Sequence, residues 1–427
     1  MKKCIVIGGG LAGLSSAAYL SQSGFSVEII EASSRLGGRA YSFTDKQTGS
    51  LIDNGQHILM GCYKETLRFF KLIGAEKNLF IQKKLEVNYL KPGLSIQKLK
   101  TSSLPYPFSL LFGLLNYKAL SLKERLIFLK FFLKIYLYSG RRLEKLSVAE
   151  WLELEGQTEN IQKAFWELLA VGALNTNIKK ASAKTFSIIL KKIFFRGNRS
   201  ASIIIPGKGL SEAFCSDAEN FIKKNNGKIS FSEEVTALCT QNEKITGIRT
   251  NKREIRDFDF IVSAVPLYAL QRILPGYGFE GINEFEYSTI VTIHIWLKEN
   301  PLSGKFYGLI DSPVQWIFNH DSHLTLVISD ANYLSDVSKE EIFNTAAEEL
   351  SRYAKIEKSF ITNYLVIKEK RATFIPSAAI LNIRPDPQSN FNNLIFAGDW
   401  INTGLPSTIE SAVKSGRMAA DLMAKDF

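Results

Sequence analysis

Three glycines that follow a short apolar run constrain the fold more than any other feature of the chain. Residues 4–7 (Cys-Ile-Val-Ile) predict a buried strand, and Gly8, Gly10 and Gly13 come directly after it. A helical pattern over residues 14–23 and a second strand over residues 26–30 follow. This order predicts a dinucleotide-binding unit with an anion at the helix N-terminus. A glycine-rich turn without a ligand is the alternative. We favour the dinucleotide-binding unit because the strand, the glycine turn, the helix and the second strand follow one another at the expected spacing.

Residues just beyond this unit indicate which dinucleotide it binds. Glu31 ends the second predicted strand, where a carboxylate can bind the ribose hydroxyls and disfavours a 2′-phosphate, and Ala32 follows it. A second glycine pair, Gly37 and Gly38, precedes Arg39 and adds flexible backbone and positive charge beside the first turn. Flavoproteins with a buried FAD often have such a loop, whereas NAD enzymes do not need one. We therefore predict FAD as the cofactor.

The C-terminal end of the chain repeats the pattern of strand, turn and helix. Residues 393–396 predict a buried strand that runs into Gly398 and Asp399. Thr408 precedes a predicted helix that begins at Ile409, and the N-terminus of this helix can face an anion or a flavin carbonyl. An ordinary closing α/β unit is the other interpretation. Because the N-terminal unit has the same pattern, we favour the interpretation that both ends of the chain share one cofactor site.

Together these motifs resemble the superfamily of flavin-containing amine oxidases and phytoene desaturases. Within it, residues 51–59 (Leu-Ile-Asp-Asn-Gly-Gln-His-Ile-Leu), 368–374 (Lys-Glu-Lys-Arg-Ala-Thr-Phe) and 404–410 (Gly-Leu-Pro-Ser-Thr-Ile-Glu) are similar to the hydroxysqualene dehydroxylases of bacterial hopanoid pathways. The resemblance implies an α/β fold in which a Rossmann-type FAD-binding domain interleaves with an α+β substrate-binding domain.

Matched residue by residue, the resemblance implies a cofactor site built from distant parts of the chain. The predicted cofactor-binding residues are Gly8, Gly10, Leu11, Ala12, Gly13, Glu31, Ala32, Gly38, Arg39, Gly55, Gln56, His57, Val235, Gly398, Asp399, Thr408 and Ile409. Val235 matches the position whose backbone meets the adenine. His57 lines the flavin, either as a catalytic proton donor or as a residue that positions the ring, and we favour positioning. Asp399 is expected to accept hydrogen bonds from the cofactor rather than to catalyse.

The resemblance also implies the reaction. Reduced FAD would deliver a hydride while hydroxysqualene loses its hydroxyl group and becomes squalene, with an electron donor and a catalytic acid that the sequence does not identify. A carotenoid desaturase or isomerase would share the fold. An amine oxidase would need an aromatic cage beside the flavin, and residues 364–390 offer only Tyr364 and Phe374. A non-enzymatic carrier of prenyl chains is the alternative from another class. Squalene-pathway synthases are the expected protein partners.

Composition limits the class of protein further. The chain has 427 residues, of which 45% are hydrophobic and 22% charged, and these globular values suit more than one lobe. Four widely spaced cysteines favour a reducing compartment over disulfides. The apolar run after Met1 breaks at the glycines, so neither a signal peptide nor a membrane span is predicted. His320 and His323 lack an apparent third ligand, so no metal site is predicted.

Two segments concentrate the basic residues of a chain whose formal net charge is +11. Residues 100–145 hold nine basic residues against two acids and are rich in Phe and Leu, and residues 179–199 hold seven basic residues and no acid. No nucleic-acid motif accompanies them, so nucleic-acid binding is not predicted. Adsorption to an anionic membrane suits them better, with a buried helical cap as the alternative. We expect a cytoplasmic protein at the inner face of the cell membrane.

Along the chain, two lobes are predicted to alternate. Residues 1–85, 201–266 and 386–427 are the expected FAD-binding segments. Residues 86–200 are expected to be mainly helical and to face substrate and membrane, and residues 267–385 are expected to complete the substrate domain. Such interleaving is allowed because lobes are defined by shared cores rather than by chain order.

Overall fold

Five strands drawn from the whole length of the chain form one parallel sheet. A computed structural model describes residues 1–279 and 281–425. The strands lie in the order Lys228–Ser230, Ser26–Ile30, Lys3–Ile7, Phe260–Ser263 and Leu394–Phe396, each parallel to its neighbour. The predicted α/β class with a Rossmann-type domain is confirmed.

The first helix, Leu11–Gln22, begins before the predicted residue 14. The turn that precedes it takes only residues 8–10, and Gly8 adopts a φ of 100° there, a conformation that glycine tolerates. The first two strands begin and end close to the predicted residues, since their β-branched side chains are buried on both faces of the sheet. The local pattern therefore predicted the strands well and the helix start less well.

A seven-stranded sheet forms the base of the second lobe. Its order is Ile361–Phe374, Tyr287–Leu297, Leu324–Ile328, Trp316–Asn319, Phe306–Leu309, Glu86–Leu90 and Gln97–Lys100. Neighbouring strands are antiparallel, except that Phe306–Leu309 and Glu86–Leu90 run parallel. The helix Lys339–Ala354 packs on this lobe through Ile342, Ala346 and Leu350, one turn apart on one side of the helix.

Residues 86–100 depart from the helical character expected of residues 86–200. They form a hairpin at the edge of the seven-stranded sheet, with Val87, Tyr89 and Leu99 buried. A period of two in so short a segment indicates strands, and the long apolar helices that follow obscured it. We call the rest of this segment, residues 101–200, the helical lobe. Its α-helices are Phe108–Leu115, Leu122–Ile135, Gly140–Leu143, Val148–Leu154, Glu159–Ile161, Glu167–Leu174 and Ala183–Phe194.

Aromatic side chains fill the core of the helical lobe. Trp151, Trp166, Phe128 and Phe131 are among the largest side chains with less than 2% exposure. The ring centroids of Phe128 and Phe131 lie 4.8 and 5.3 Å from that of Trp166, in the tilted and edge-on arrangements that aromatic pairs prefer. Many phenylalanines of this segment therefore belong to the hydrophobic core of the helical lobe.

Smaller elements connect the lobes. The remaining strands are Ser42–Thr44, Leu51–Asp53, Leu59–Met60, Leu79–Ile81, Ile203–Pro206, Val235–Gln241, Lys244–Thr250 and Glu254–Ile255. The remaining α-helices are Lys64–Ile73, Asp217–Lys224, Leu267–Ile273, Ala378–Ile383 and Ile409–Lys425. Among residues 1–279 and 281–425, no helix combines the length and the apolar character that crossing a bilayer requires.

The C-terminal helix, Ile409–Lys425, packs against the first helix through a close glycine contact. A Cβ atom on Gly416 would lie 2.3 Å from the carbonyl oxygen of Ala12 and 2.8 Å from the Cβ atom of Ser15. The Ser15 hydroxyl donates a hydrogen bond of 2.8 Å to the carbonyl oxygen of Val413. The two ends of the chain therefore meet at backbone distance.

Replacing Gly416 by valine is expected to lower the free energy of unfolding by about 1–3 kcal/mol, because the added carbons force the two helices apart. Urea denaturation followed by circular dichroism measures this loss. Ala424→Val, at an exposed position of the same helix, is the control and should change the free energy by less than about 0.5 kcal/mol. Equal losses in the two variants would contradict the close contact.

Candidate functional site

The first glycine turn leaves a helix N-terminus open at the edge of the parallel sheet. The helix Leu11–Gln22 follows Gly10 and has no capping side chain and no acidic residue in its first turn. A Cβ atom on Gly13 would lie 1.9 Å from the carbonyl oxygen of Gly8, so no larger residue fits there. The backbone N–H groups and the dipole of such an N-terminus favour an anion.

The Glu31 carboxylate lies at the rim of this turn. It accepts hydrogen bonds from the backbone N–H groups of Gly9, at 2.6 Å, and Ser33, at 2.8 Å. The N–H of Glu233 donates to the carbonyl oxygen of Glu31 at 2.9 Å, which brings the strand that begins at buried Val235 to the same edge. Residues 31–32 and Val235, which are distant in sequence, are therefore close together.

The second glycine loop packs directly on the first. The N–H of Gly37 donates to the carbonyl oxygen of Gly9 at 2.9 Å. A Cβ atom on Gly38 would lie 3.2 Å from the Cα atom of Gly10. The two backbones touch where side chains are absent, so both loops face one shared space.

An ion pair between Arg39 and Asp399 joins the second glycine loop to the C-terminal turn. Nη2 of Arg39 lies 2.6 Å from Oδ1 of Asp399, and Nη1 donates to the carbonyl oxygen of Ala372 at 2.8 Å. The Ser407 hydroxyl donates to the other oxygen of Asp399. Burial by itself would raise the pKa of Asp399, but Arg39 and Ser407 hold that pKa below its usual value. Asp399 is therefore ionised at neutral pH.

The C-terminal turn lies at the same edge of the parallel sheet, because the carboxyl ends of parallel strands share an edge. The N–H of Gly398 donates to the Ser415 hydroxyl at 2.7 Å. Thr408 caps the C-terminal helix by accepting from the N–H of Ser411 at 3.2 Å, and Ile409 begins this helix. The predicted residues of both chain ends are therefore brought together.

Next to Ile409, the buried Glu410 serves a different element. Its carboxylate accepts from the backbone N–H groups of Glu65 and Thr66 at 3.0 and 2.9 Å. These groups belong to the first turn of the helix Lys64–Ile73, whose own N-cap residue supplies no side-chain hydrogen bond. The C-terminal helix thus caps a helix of the N-terminal region.

Asp53 and Asn54 hold the Gly-Gln-His turn between the two lobes. The Asn54 side chain donates to the carbonyl oxygen of Arg39 at 3.0 Å and accepts from the N–H of Tyr41 at 3.1 Å. Nε2 of His294, on the seven-stranded sheet, lies 2.9 Å from the carbonyl oxygen of Asp53 and must donate to it, since a carbonyl only accepts. Asp53 and Asn54, which we call the clamp, thus connect the second glycine loop to the seven-stranded sheet.

Gln56 and His57 present hydrogen-bonding atoms beyond this clamp. Oε1 of Gln56 is buried and has no hydrogen-bond partner among the described residues, which suits a donor group of a bound ligand. Nδ1 of His57 donates to the carbonyl oxygen of Gly55 at 2.9 Å. Burial lowers the pKa of His57 more than this bond raises it. His57 is therefore a neutral imidazole at pH 7, with Nε2 as an acceptor.

A small cleft adjoins the Arg39–Asp399 pair. The guanidinium of Arg371 lies 4.4 Å from the ring centroid of Tyr268 at its wall, so the 368–374 motif reaches this space. The lining residues are Arg39, Pro266, Leu267, Tyr268, Tyr287, Arg371, Phe374, Asp399 and Trp400. Residues of both lobes therefore enclose one site.

Sequence reasoning missed Arg384, which shapes the C-terminal turn. The residue is 5% exposed, and burial lowers the pKa of its guanidinium to about 10, so Arg384 stays charged at neutral pH. It donates to the carbonyl oxygens of Asp399, Trp400, Ile401 and Leu405. Satisfying four carbonyls with one cation fixes the turn. The only sequence signal is a lone arginine between an apolar run and a proline.

Other polar candidates lie away from this site. The rings of His320 and His323 stack with centroids 4.6 Å apart, next to His294. Within residues 1–279 and 281–425, no group of three or more His, Cys, Asp or Glu side chains is placed to hold a metal ion. Lys368 donates to the carbonyl oxygens of Ser335, at 3.1 Å, and of Val337, so this lysine is bound to the backbone of residues 335–337.

Comparison with known proteins agrees with the geometry. The sequence matches the family described as flavin containing amine oxidoreductase over residues 11–424, and the chain belongs to this family. Hydroxysqualene dehydroxylases of Rhodopseudomonas palustris and Zymomonas mobilis are 28% and 27% identical to it, over 98% of this chain and 97% and 98% of their own lengths. The resemblance inferred from the motifs is thus confirmed.

More distant relatives share the fold. A 15-cis-phytoene desaturase of Glycine max is 23% identical over 99% of this chain and 79% of its own length. An oxidoreductase from Methanosarcina mazei superposes with a TM-score of 0.74 at 19% identity, over 98% of this chain and 100% of that chain. The protein is a flavin-dependent oxidoreductase.

Arg39→Met is expected to lower the free energy of unfolding at pH 7 by about 1.5–3 kcal/mol, because it leaves the buried Asp399 carboxylate without its charged partner. Urea denaturation gives this free energy. The control is Lys208→Met, which breaks a half-exposed pair with Glu212 and should cost less than about 1 kcal/mol.

The deficit of the Arg39 variant should depend on pH. The pKa of Asp399 is lowered in the folded wild type, so the pair stabilises at neutral pH and its contribution is lost as the pH falls through that pKa. The two proteins should therefore converge in acid. A deficit that stays constant with pH would show that Asp399 is not the group concerned.

Proposed function

We propose that the cofactor is FAD, held between the two glycine loops and the C-terminal turn. The open N-terminus of the helix Leu11–Gln22 would bind the pyrophosphate, and Glu31 the adenosine ribose. The backbone at Val235 would meet the adenine. Near the flavin, the unpaired Oε1 of Gln56 offers a buried acceptor. The residues present therefore fit the cofactor.

The proposed reaction is the reductive dehydroxylation of hydroxysqualene to squalene, the activity for which the nearly full-length relatives are named. One structural observation carries the substrate class. Ile58 and Met60, directly after His57, pack against the aromatic core of the helical lobe. Apolar packing thus reaches the loop that would line the flavin, which suits a polyisoprenoid chain.

The reaction breaks a C–O bond, forms a C–H bond and releases the hydroxyl group as water after it takes up a proton. When bound, reduced FAD supplies the hydride and is oxidised. The helical lobe would hold the polyisoprenoid and exclude water, which would otherwise capture the allylic cation left on the substrate when its hydroxyl group departs. His57 is neutral with its Nδ1–H bonded to Gly55, so we assign it a positioning role rather than that of the acid.

Two other activities are less well supported. A carotenoid desaturase is the second candidate, but the phytoene desaturase relative is less similar and longer than this chain. For an amine oxidase, one of the two aromatic candidates is elsewhere: Tyr364 stacks on Phe343 at 3.7 Å, under the helix Lys339–Ala354. A prenyl-chain carrier would not need the flavin chemistry of the family.

We further propose that the five predicted segments form a FAD-binding and a substrate lobe, as the two large sheets suggest. The enzyme would work in the cytoplasm at the inner face of the cell membrane, where its apolar substrate collects. A squalene-pathway synthase would deliver that substrate, and a separate electron donor would reduce the flavin. Basic and apolar residues in the helical lobe support the membrane site.

Purified protein is expected to be yellow, to release FAD on denaturation and, once reduced without oxygen, to convert hydroxysqualene to squalene. Mass spectrometry of the extracted lipids measures the product. Gly10→Val should abolish both colour and product, because the new side chain enters the space between the two glycine loops. A yellow, reducible protein that converts phytoene and not hydroxysqualene would establish the second candidate, and a colourless one a carrier.

His57→Asn is expected to lower kcat by less than about tenfold and to leave the limbs of the pH–rate profile in place, since the imidazole is neutral and positions the ring. Loss of a general acid would instead cost about 10²–10⁴-fold and remove a limb. His320→Asn, away from the site, is the control and should leave kcat unchanged. Disappearance of a limb in the His57 variant alone would overturn the positioning role.

A further inference from the structure

One helix of the helical lobe carries two separate apolar sides. The helix Leu122–Ile135 buries Phe128, Phe131, Phe132 and Ile135 in the core. Leu122, Leu126 and Leu133 are instead 74%, 63% and 52% exposed. Their spacing of four and seven residues places these leucines on one stripe of the helix, away from the core side. Solvated helices carry polar residues at such positions.

The preceding helix, Phe108–Leu115, repeats this arrangement. Leu110 and Leu114 are buried, whereas Phe108, Phe112 and Leu115, spaced by four and three residues, are exposed. The two helices pack against each other. We call their exposed apolar residues, with the next two in the chain, the ridge: Phe108, Phe112, Leu115, Leu122, Leu126, Leu133, Tyr136 and Leu137.

The ridge is unusual for the surface of this protein. Among the described residues, 11 of the 21 large hydrophobic side chains that are exposed lie between residues 104 and 154. Tyr136 and Leu137, just beyond the second helix, are 65% and 81% exposed. Exposed apolar residues concentrated on two neighbouring helices indicate an interaction site rather than a solvated face.

Charge indicates what covers the ridge. Lys123 and Lys130 lie on the same helix as the leucine stripe, and Lys118 lies between the two helices. Basic residues of this region that form no ion pair among the described residues are Lys118, Lys123, Arg125, Lys130, Arg141, Arg142 and Lys145. Lysines beside exposed leucines can reach lipid headgroups while the leucines enter the acyl region.

We propose that the ridge docks this protein on an anionic lipid bilayer, with both helices lying in the plane of the interface. A second copy of the chain is a poorer occupant, because a two-fold contact would press the same basic patch against itself. The inference deepens the proposed function by naming the surface that meets the membrane. Binding through the ridge does not itself require turnover.

Sedimentation of the full-length protein with vesicles tests this surface. Wild type is expected to bind vesicles of phosphatidylglycerol and phosphatidylcholine, and less as phosphatidylcholine replaces phosphatidylglycerol or as salt rises. The triple variant Leu122→Ser, Leu126→Ser, Leu133→Ser should lower the partition coefficient at least about tenfold, since three apolar anchors are lost. Because these leucines are exposed, its circular dichroism spectrum and flavin absorbance should match wild type.

The matched control removes exposed aromatic residues that lie outside the two ridge helices, in residues 267–385. Tyr333→Ser with Phe360→Ser, at positions 62% and 44% exposed, should bind vesicles as wild type does. Equal binding by the triple variant and wild type would overturn the proposal, and so would light scattering that shows a lipid-free dimer which the triple variant dissociates. Conversion of detergent-dispersed hydroxysqualene, measured on the same proteins, shows separately whether the proposed function stands.

Discussion

The Arg39–Asp399 ion pair joins residues 360 positions apart, and the rest of the site is arranged around it. On one side of the pair, the second glycine loop is pinned to the first by contacts between backbones. On the other, the turn that carries Asp399 is fixed by the buried guanidinium of Arg384. A buried carboxylate needs such a partner to stay ionised. The site therefore exists only when both ends of the chain have folded together.

Features with a local cause were predictable from the sequence. The N-terminal unit, from the first strand to Glu31, is recognised by spacing within about thirty residues. The structure shows this unit as predicted, except that the helix begins at Leu11. Features that depend on distant partners were not predictable. The hairpin of residues 86–100 needs the parallel contact with Phe306–Leu309, and the role of Arg384 needs four carbonyls of another turn. The hairpin leaves only a short period of two before the apolar helices, and Arg384 leaves only a lone arginine between an apolar run and a proline.

The apolar and basic segment of residues 100–145 shows a different limit. Its sequence suggested either a membrane surface or a buried cap, and the structure shows one apolar side that is buried and one that is exposed. Phenylalanines of the helix Leu122–Ile135 fill the core, while leucines of the same helix face outwards. Both sides use apolar residues, so hydropathy alone could not separate them. Only the packing of Trp151 and Trp166 decides which side is inward.

Glu410, which caps the helix Lys64–Ile73, has a consequence for how the protein is made. The ribosome synthesises that helix long before its cap, and the outer strand Leu394–Phe396 and the helix that covers Leu11–Gln22 are likewise made more than 350 residues after the first strand and the first helix. Nascent chains must therefore keep an incomplete N-terminal region from aggregating until these residues have emerged. For this molecule, the N-terminal sheet and helices cannot finish folding in the order in which they are made.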